Sequence, residues 1–332
     1  MRLLPVVSAS IGLCAAAAGA FAQGVPDYGF EWRTVGDPGN PAAQPEDYLF
    51  LDRPIGSVAY EYRLTRTEIT NTQWIEFADA LVTADPSVNP YDITLGRDIF
   101  YGGDHRWFTF EGAEHAAAQM GWLYAARFCN WLHNDKRSDL AAFQGGVYDI
   151  STFRVVWDGE WPRWVGDSTP AADAKFWIPN WSELVKGLHW DPNKLGVGEG
   201  GYWLFPHSSD VEPIGGLPGT PGAESSAGDY PNAPFWVPVG MYPNAVSPWG
   251  LLDGSGGAPE YLGEWIDGQP AMKGTSVGVN TFTPDRLDFI TGVVVPDLPF
   301  AGIRLASRVP SPGWLGLALA SLALRSMRKR RS

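Results

Sequence analysis

Imidazole and carboxylate side chains are the first candidates for chemistry in this sequence, because both ligate transition metals. His133 and Asp135 have the His-x-Asp spacing found in facial triads that hold non-haem iron. A complete triad would need a distant second histidine, such as His189 or His207. The same two residues also fit a helix C-terminus, where the helix dipole favours histidine. We favour the helix interpretation and do not expect iron.

Thiol chemistry is restricted to two cysteines, Cys14 and Cys129. Cys14 lies in an N-terminal segment that we expect to be cleaved, which leaves one thiol and no internal disulfide. Cys129 lies in an aromatic stripe, which predicts a small buried apolar residue. The chain has no G-x-S-x-G nucleophile elbow, so a Ser-His-Asp triad lacks support.

Tryptophan is abundant, with 16 copies, and indole rings can stack on sugar rings. In a loop-rich domain the same rings can simply fill the core, and we favour that interpretation. The candidates for sugar stacking are Trp157, Trp161, Trp164, Trp177, Trp181 and Trp190.

Few regular elements are available to position these residues. Alternation over residues 59–64 predicts a strand. Thr70 or Asn71 begins a predicted helix with an apolar stripe through Leu81. A second helix is predicted over residues 116–133, and a capping box at Asn180 predicts a third through Leu188. Residues 196–257 are rich in Gly, Pro and Ser and predict an ordered loop.

Composition limits the function classes. The 332 residues carry a net charge of −13, so a phosphate backbone would be repelled and no nucleic acid partner is expected. Hydrophobic residues make up 45%, which is enough for a sizeable core. With 39 Gly and 28 Pro, long loops and few helices are expected. Residues 27–308 show no repeat or change of composition, which predicts one domain.

Both ends of the chain resemble sorting signals. Residues 1–22 combine Arg2, an apolar run and a final A-F-A, which predicts a secretory signal peptide. Residues 309–332 contain P-S-P, a short apolar run and a terminal basic cluster, and they resemble the PEP-CTERM sorting tail of Gram-negative bacteria. That resemblance implies handling by an exosortase and a final location at the cell surface or in the extracellular matrix.

The apolar run of this tail is shorter than the roughly 20 residues that span a bilayer. Membrane contact is therefore expected only transiently, through the tail. A tail anchor held by its positive charge is the alternative.

A set of segments in chain order resembles the sulfatase-modifying factors, also called formylglycine-generating-enzyme-like proteins. The resemblance covers residues 29–307 and implies an α+β fold: a single compact, loop-rich mixed domain related to C-type lectins. The segments that carry it are T-E-I-T-N-T-Q-W (67–74), Y-A-A-R-F-C-N-W-L (124–132), W-I-P-N-W-S-E-L (177–184), P-N (243–244), W-G-L-L-D (249–253), S-G-G-A-P-E-Y (255–261), K-G-T-S (273–276) and A-G-I-R-L-A (301–306).

Enzymes of this family oxidise a substrate cysteine with copper held by two cysteines, placed between the segments matching residues 273–276 and 301–306. Residues 274–304 contain no cysteine. Copper and formylglycine generation by that mechanism are therefore not expected. Other branches of the family use non-haem iron, which keeps a metal-dependent oxidoreductase as an alternative.

The resemblance implies one structural metal site. In the family, main-chain carbonyls and a glutamate of the S-G-N-V-W-E-W turn bind calcium, a cation that prefers several oxygen ligands. The matching positions here are Ser255, Gly256, Ala258 and Glu260, with Glu260 supplying the carboxylate. The family asparagine and first tryptophan are replaced in this chain, so Glu260 as an ordinary buried or capping acid is the alternative.

Together these observations predict an exported, surface-associated protein with a binding or structural role and without the catalytic cysteine pair. A non-haem iron oxidoreductase and a carbohydrate-binding module are the alternatives. The expected partners are the exosortase-type sorting machinery and an extracellular polysaccharide or surface protein.

Overall fold

The computed structural model describes residues 25–94, 98–159, 161–292 and 301–310. Residues Asp27–Val309 make their contacts mainly with one another and form one unit. The predicted signal peptide, residues 1–22, and all but the first two residues of the predicted tail lie outside the described residues. Over the described ranges, no helix is both long enough and apolar enough to cross a membrane.

The described strands are short. They are β1 (Trp32–Val35), β2 (Tyr62–Thr65), β3 (Ile99–Tyr101), β4 (Trp107–Thr109), β5 (Arg154–Asp158), β6 (Trp161–Val165), β7 (Phe176–Trp177), β8 (Trp190–Gly196), β9 (Glu199–Tyr202), β10 (Glu260–Ile266), β11 (Gln269–Lys273), β12 (Thr291–Gly292) and β13 (Ala306–Arg308). The described α-helices are α1 (Asn71–Ala84), α2 (Pro90–Thr94), α3 (Trp122–His133), α4 (Ala141–Gln144) and α5 (Trp181–His189).

The largest sheet joins strands from distant parts of the chain. Its order is β1-β2-β13-β7, and all three pairings are antiparallel. A second sheet has the order β10-β11-β12, and three hairpins pair β3 with β4, β5 with β6 and β8 with β9. The strand predicted over residues 59–64 begins later, at Tyr62, because β1 ends at Val35, directly opposite Tyr62. The whole is a loop-rich α+β arrangement with few helices and small sheets.

Capping boxes begin two of the helices: the one at Asn180 was predicted, and at α1 the sequence predicted a start at Thr70 or Asn71 without the box. At α1, the Gln73 N–H donates to Thr70 Oγ1 and the Thr70 N–H donates to Gln73 Oε1. At α5, the Glu183 N–H donates to Asn180 Oδ1 and the Asn180 N–H donates to Glu183 Oε2. Each box satisfies two backbone N–H groups that a helix start would otherwise leave without partners.

The second predicted helix is shorter than expected. It begins at Trp122, whereas residues 116–120 are extended, because their backbone groups bond to other segments instead of to a helical turn. The Ala118 N–H donates to the Ile69 carbonyl, and the Met120 N–H donates to the Ala301 carbonyl. The predicted loop over residues 196–257 is present, except that β9 lies within it.

An aromatic cluster packs α1 against α3. Trp74 and Phe77 of α1 lie 5.5 Å and 5.4 Å from Phe128 of α3, measured between ring centroids. Cys129 is fully buried beside this cluster. The expectation that Cys129 is a small buried apolar residue is therefore confirmed, and burial raises the pKa of its thiol.

Candidate functional site

The turn that resembles the family calcium site lies between buried groups. Glu260 is 4% exposed, and both of its carboxylate oxygens accept hydrogen bonds from Arg304. Arg304 Nη2 lies 2.9 Å from Glu260 Oε1, and Arg304 Nε lies 3.2 Å from Glu260 Oε2. Arg304 thus neutralises the carboxylate, and a calcium ion on Glu260 would have to compete with the guanidinium. The calcium site stays a prediction.

The remaining residues of this turn are fixed by neighbouring polar groups. Ser255 Oγ donates to Asp285 Oδ2 over 2.6 Å, and the Gly256 N–H donates to Thr275 Oγ1 over 3.1 Å. The Ala258 N–H donates to Glu68 Oε1 over 3.3 Å. These contacts hold the turn between the segment before α1 and the segment that follows β11.

Glu68 is a buried carboxyl that the sequence analysis missed. Its side chain is 1% exposed, and its Oε2 atom has no hydrogen-bond partner among the described residues. Burial raises the pKa of Glu68 well above its ordinary value, and the nearby charges of Asp253 and Glu260 raise it further. A Cβ atom at position 257 would lie 2.4 Å from Glu68 Oε1, so Gly257 makes room for this carboxyl.

The histidines do not form the facial triad that the sequence left open as an alternative. His133 Nδ1 accepts from the Lys175 N–H over 3.2 Å, and Asp135 accepts from Lys175 Nζ over 2.8 Å. His189 is buried, with its Nδ1 atom 3.1 Å from the Trp203 carbonyl oxygen. Across the described ranges, no group of three or more His, Cys, Asp or Glu residues has an arrangement that could hold a metal ion.

Four of the six candidate tryptophans are core residues. Trp164, Trp177, Trp181 and Trp190 are each no more than 9% exposed, whereas Trp157 is 73% exposed. The buried rings leave little surface for direct stacking on a polymer. Trp177 nevertheless lines a cavity.

This cavity lies at the N-terminus of α5 and has a volume of about 790 Å³. Residues 168–172 form part of its rim. Its walls combine three aromatic side chains with carboxyl groups and one guanidinium. These side chains are Tyr60, Trp177, Trp265, Glu61, Glu183, Glu264 and Arg308. A cavity of this size accommodates a ligand of several rings.

Glu183 is the most completely bonded group in the wall. The Tyr60 hydroxyl donates to Glu183 Oε1 over 2.6 Å, and Trp177 Nε1 lies 3.1 Å from each carboxylate oxygen. The Asn180 N–H also donates to Glu183 Oε2, so each carboxylate oxygen accepts two hydrogen bonds. Glu183 therefore positions the aromatic rings of Tyr60 and Trp177 and holds the start of α5. Its burial raises its pKa.

Glu264 is the second carboxyl at this helix start. Its Oε2 atom accepts from the Trp181 N–H over 2.5 Å. Burial raises the pKa of Glu264, the Glu183 charge adds to that effect, and Arg53 opposes it. The helix dipole favours a carboxylate at an N-terminus, which explains why two acids lie here.

Arg308 is the single basic group among these side chains. Two of its nitrogens bond to backbone carbonyls. Its Nε atom donates to the Ala174 carbonyl over 3.1 Å, and its Nη2 atom donates to the Ala172 carbonyl. The carboxyls of Glu61, Glu183 and Glu264 line the same cavity as this one guanidinium. No histidine or cysteine lines the cavity in the described part of the chain, so its walls offer groups for recognition and no imidazole or thiolate.

Only part of this cavity could be predicted from the sequence. The capping box at Asn180 marked the start of α5 and placed Glu183 there. Nothing local indicated that Glu264, which is distant in the chain, bonds to the same helix start.

No family model and no curated protein sequence matches this chain. Solved structures with a similar chain path include Treponema denticola variable protein 1, with 14% identity, a TM-score of 0.46, and coverage of 84% of this chain and 95% of that one.

CarF matches with 14% identity and a TM-score of 0.48, over 86% of this chain and 99% of CarF. PvdO from Pseudomonas aeruginosa matches with 14% identity and a TM-score of 0.42, over 84% of this chain and 92% of PvdO. Similarity at this level assigns no family. The described chain is, on its own geometry, a loop-rich α+β unit.

Proposed function

We propose that this chain is an exported, surface-associated binding protein that holds a saccharide in the cavity beside α5, on a scaffold of the sulfatase-modifying-factor type. The export signals and the family type rest on the sequence resemblances alone. The observation that carries the proposal is the cavity itself, with its combination of aromatic rings and carboxyl groups.

The chemistry of the wall supports a saccharide ligand. Sugar rings offer apolar faces that pack on aromatic side chains and hydroxyl groups that bond to carboxylates. Tyr60, Trp177 and Trp265 provide the rings. Glu264 provides an acceptor, and Ser168 and Thr169 on the rim provide hydroxyls.

The sequence supports a binding role over redox chemistry. Residues 274–304 lack the cysteine pair with which the resembled enzymes hold copper. Cys129, the thiol in the described part of the chain, is buried away from the cavity wall. Calcium at the turn around Glu260 is retained as a structural prediction.

Titration calorimetry on the full-length protein with tetrasaccharides tests this proposal. The panel contains tetramers of glucosamine, N-acetylglucosamine and galacturonic acid. We expect at least one to bind, and we expect Ala172→Trp, which adds a large ring at the cavity rim, to weaken that binding at least about tenfold. Ala141→Trp, on an exposed position of α4 that does not line the cavity, is the matched control. Absence of binding by all three tetramers, or binding that Ala172→Trp leaves unchanged, would overturn the proposal.

A further inference from the structure

The charge of the cavity wall narrows the ligand class. Three carboxyl groups, Glu61, Glu183 and Glu264, line the cavity with one guanidinium, that of Arg308. Both carboxylate oxygens of Glu183 are bonded to donors of the protein, and Glu61 and Glu264 alone still outnumber the base. The chain as a whole adds to this field, since its net charge is −13. An anionic sugar would meet like charge in the wall, and a cationic one would meet opposite charge.

Several donors of the wall already have partners within the protein. Arg308 donates from Nε to the Ala174 carbonyl and from Nη2 to the Ala172 carbonyl, which uses two of its five N–H groups. Trp177 Nε1 and the Tyr60 hydroxyl both donate to Glu183. These two ring-borne donors are therefore held by Glu183.

The aromatic rings suit a cation as well as a sugar face. An ammonium group placed over the face of Trp or Tyr, within about 6 Å of the ring centre, is attracted by the electron density of the ring. Tyr60, Trp177 and Trp265 surround the same space as Glu264. Aromatic faces bind ammonium ligands in this way, and a carboxylate beside the rings adds an opposite charge.

We infer that the ligand is an amino sugar with free, protonated amino groups, held with an amine near Glu264. The inference rests on the proposed function, since it names the saccharide that the cavity takes. Glu61, which is exposed at the same wall, is the second group expected to attract the amine.

Two tetramers that differ only in charge give the decisive comparison. Tetraglucosamine carries free amines, and tetra-N-acetylglucosamine has the same sugar backbone with neutral acetamides. At pH 6 and low salt, we expect tetraglucosamine to bind at least about tenfold more tightly than its acetylated form, and tetragalacturonate to bind most weakly. Because the preference comes from charge, added salt should reduce it.

Glu264→Gln tests the residue assignment. The amide oxygen can still accept from the Trp181 N–H, so we expect the fold to persist, as checked by an unchanged circular dichroism spectrum. We expect the variant to lose most of the preference for tetraglucosamine while its affinity for the acetylated tetramer stays the same. Glu61→Gln, at an exposed position, supplies a second variant without a structural role in α5. Glu199→Gln, an exposed acid that does not line the cavity, is the control.

The outcomes distinguish failure of the amino-sugar inference from failure of the saccharide proposal. Equal binding of the neutral and cationic tetramers, blocked by Ala172→Trp, would overturn the amino-sugar inference and leave the saccharide proposal standing. Failure of all tetramers to bind would overturn both. Tighter binding of tetralysine than of tetraglucosamine would replace the sugar by a cationic peptide and would likewise overturn the inference.

Discussion

Arg304 and Glu260 form a fully buried ion pair, with two hydrogen bonds of 2.9 Å and 3.2 Å between the guanidinium and the carboxylate. The remaining donors of Arg304 reach the carbonyl oxygens of Thr65, Arg66 and Leu252. One side chain therefore ties the segment before β13 to the end of β2, to the loop before β10 and to β10 itself.

Arg304→Met should be strongly destabilising. It leaves the Glu260 carboxylate buried without a counter-charge and removes the donors for three carbonyls, and the loss of one partner from a buried pair costs about 3–5 kcal/mol. Urea unfolding at pH 7 measures the free energy of unfolding. Arg137→Met breaks the exposed pair with Asp139 and should change it by no more than about 0.5 kcal/mol. A loss below about 1 kcal/mol for Arg304→Met would show that the pair is not formed.

Asn130 should be as sensitive to substitution as a large core residue. Its Oδ1 atom accepts from the Val147 and Tyr148 N–H groups, and its Nδ2 atom donates to the Phe143 and Tyr148 carbonyls. Asn130→Ala leaves these buried backbone groups without partners, at a cost of about 3 kcal/mol or more. The exposed Asn244 provides the control, Asn244→Ala, which should leave the urea midpoint unchanged.

Cys129 should be inert to thiol reagents in the folded protein. Burial excludes the reagent and raises the pKa of the thiol, so little thiolate forms even at pH 9. Iodoacetamide labelling followed by peptide mass spectrometry should find Cys129 modified only in denaturant. Labelling of Cys129 within minutes under native conditions at pH 8 would contradict the buried position and reopen thiolate chemistry.

The calcium prediction has a separate test. Mass spectrometry of the purified full-length protein should find one calcium ion per chain, and a chelator should lower Tm by several degrees, since a ligand bound only by the folded state stabilises it. In Glu260→Gln this difference between calcium and chelator should disappear. Bound calcium that Glu260→Gln removes would place the ion at the turn beside Arg304. A Tm that is identical in calcium and in chelator would leave Arg304 as the cation that Glu260 uses.

Binding of a cation in the cavity should weaken as the pH falls. Burial raises the pKa of Glu264, so acidification removes its charge at a higher pH than for an exposed glutamate. The charges of Glu183 and Arg53 also act on this carboxyl, and Glu61 and Arg308 line the same cavity.

An N-trimethylated tetraglucosamine is permanently charged. Any change in its affinity with pH therefore comes from titration of the protein. Its affinity should fall between pH 7 and pH 5, and the fall should be shallower in Glu264→Gln. Parallel pH profiles for the two proteins would exclude Glu264 as the titrating group.

Several features could be predicted because they depend on residues close together in the chain. The capping boxes at Thr70 and Asn180 involve partners three residues apart, and the apolar stripe through Trp74 follows from helical periodicity. The burial of Cys129 followed from its aromatic neighbours. The loop-rich α+β character followed from composition, since glycine and proline interrupt regular elements.

Other features were decided by contacts between distant segments. Residues 116–120 have a helical pattern, but hydrogen bonds to Ile69 and Ala301 hold them extended. Glu260 matched a family calcium ligand, yet its counter-charge is Arg304, far along the chain.

The sequence alone determined the absence of a cysteine pair, the acidic charge and the local start of α5. Only the tertiary structure brought Glu264 to that helix start and enclosed the cavity beside it. The physical reason is that caps and periodicity act within a few residues, whereas a cavity and a buried ion pair depend on the path of the whole chain.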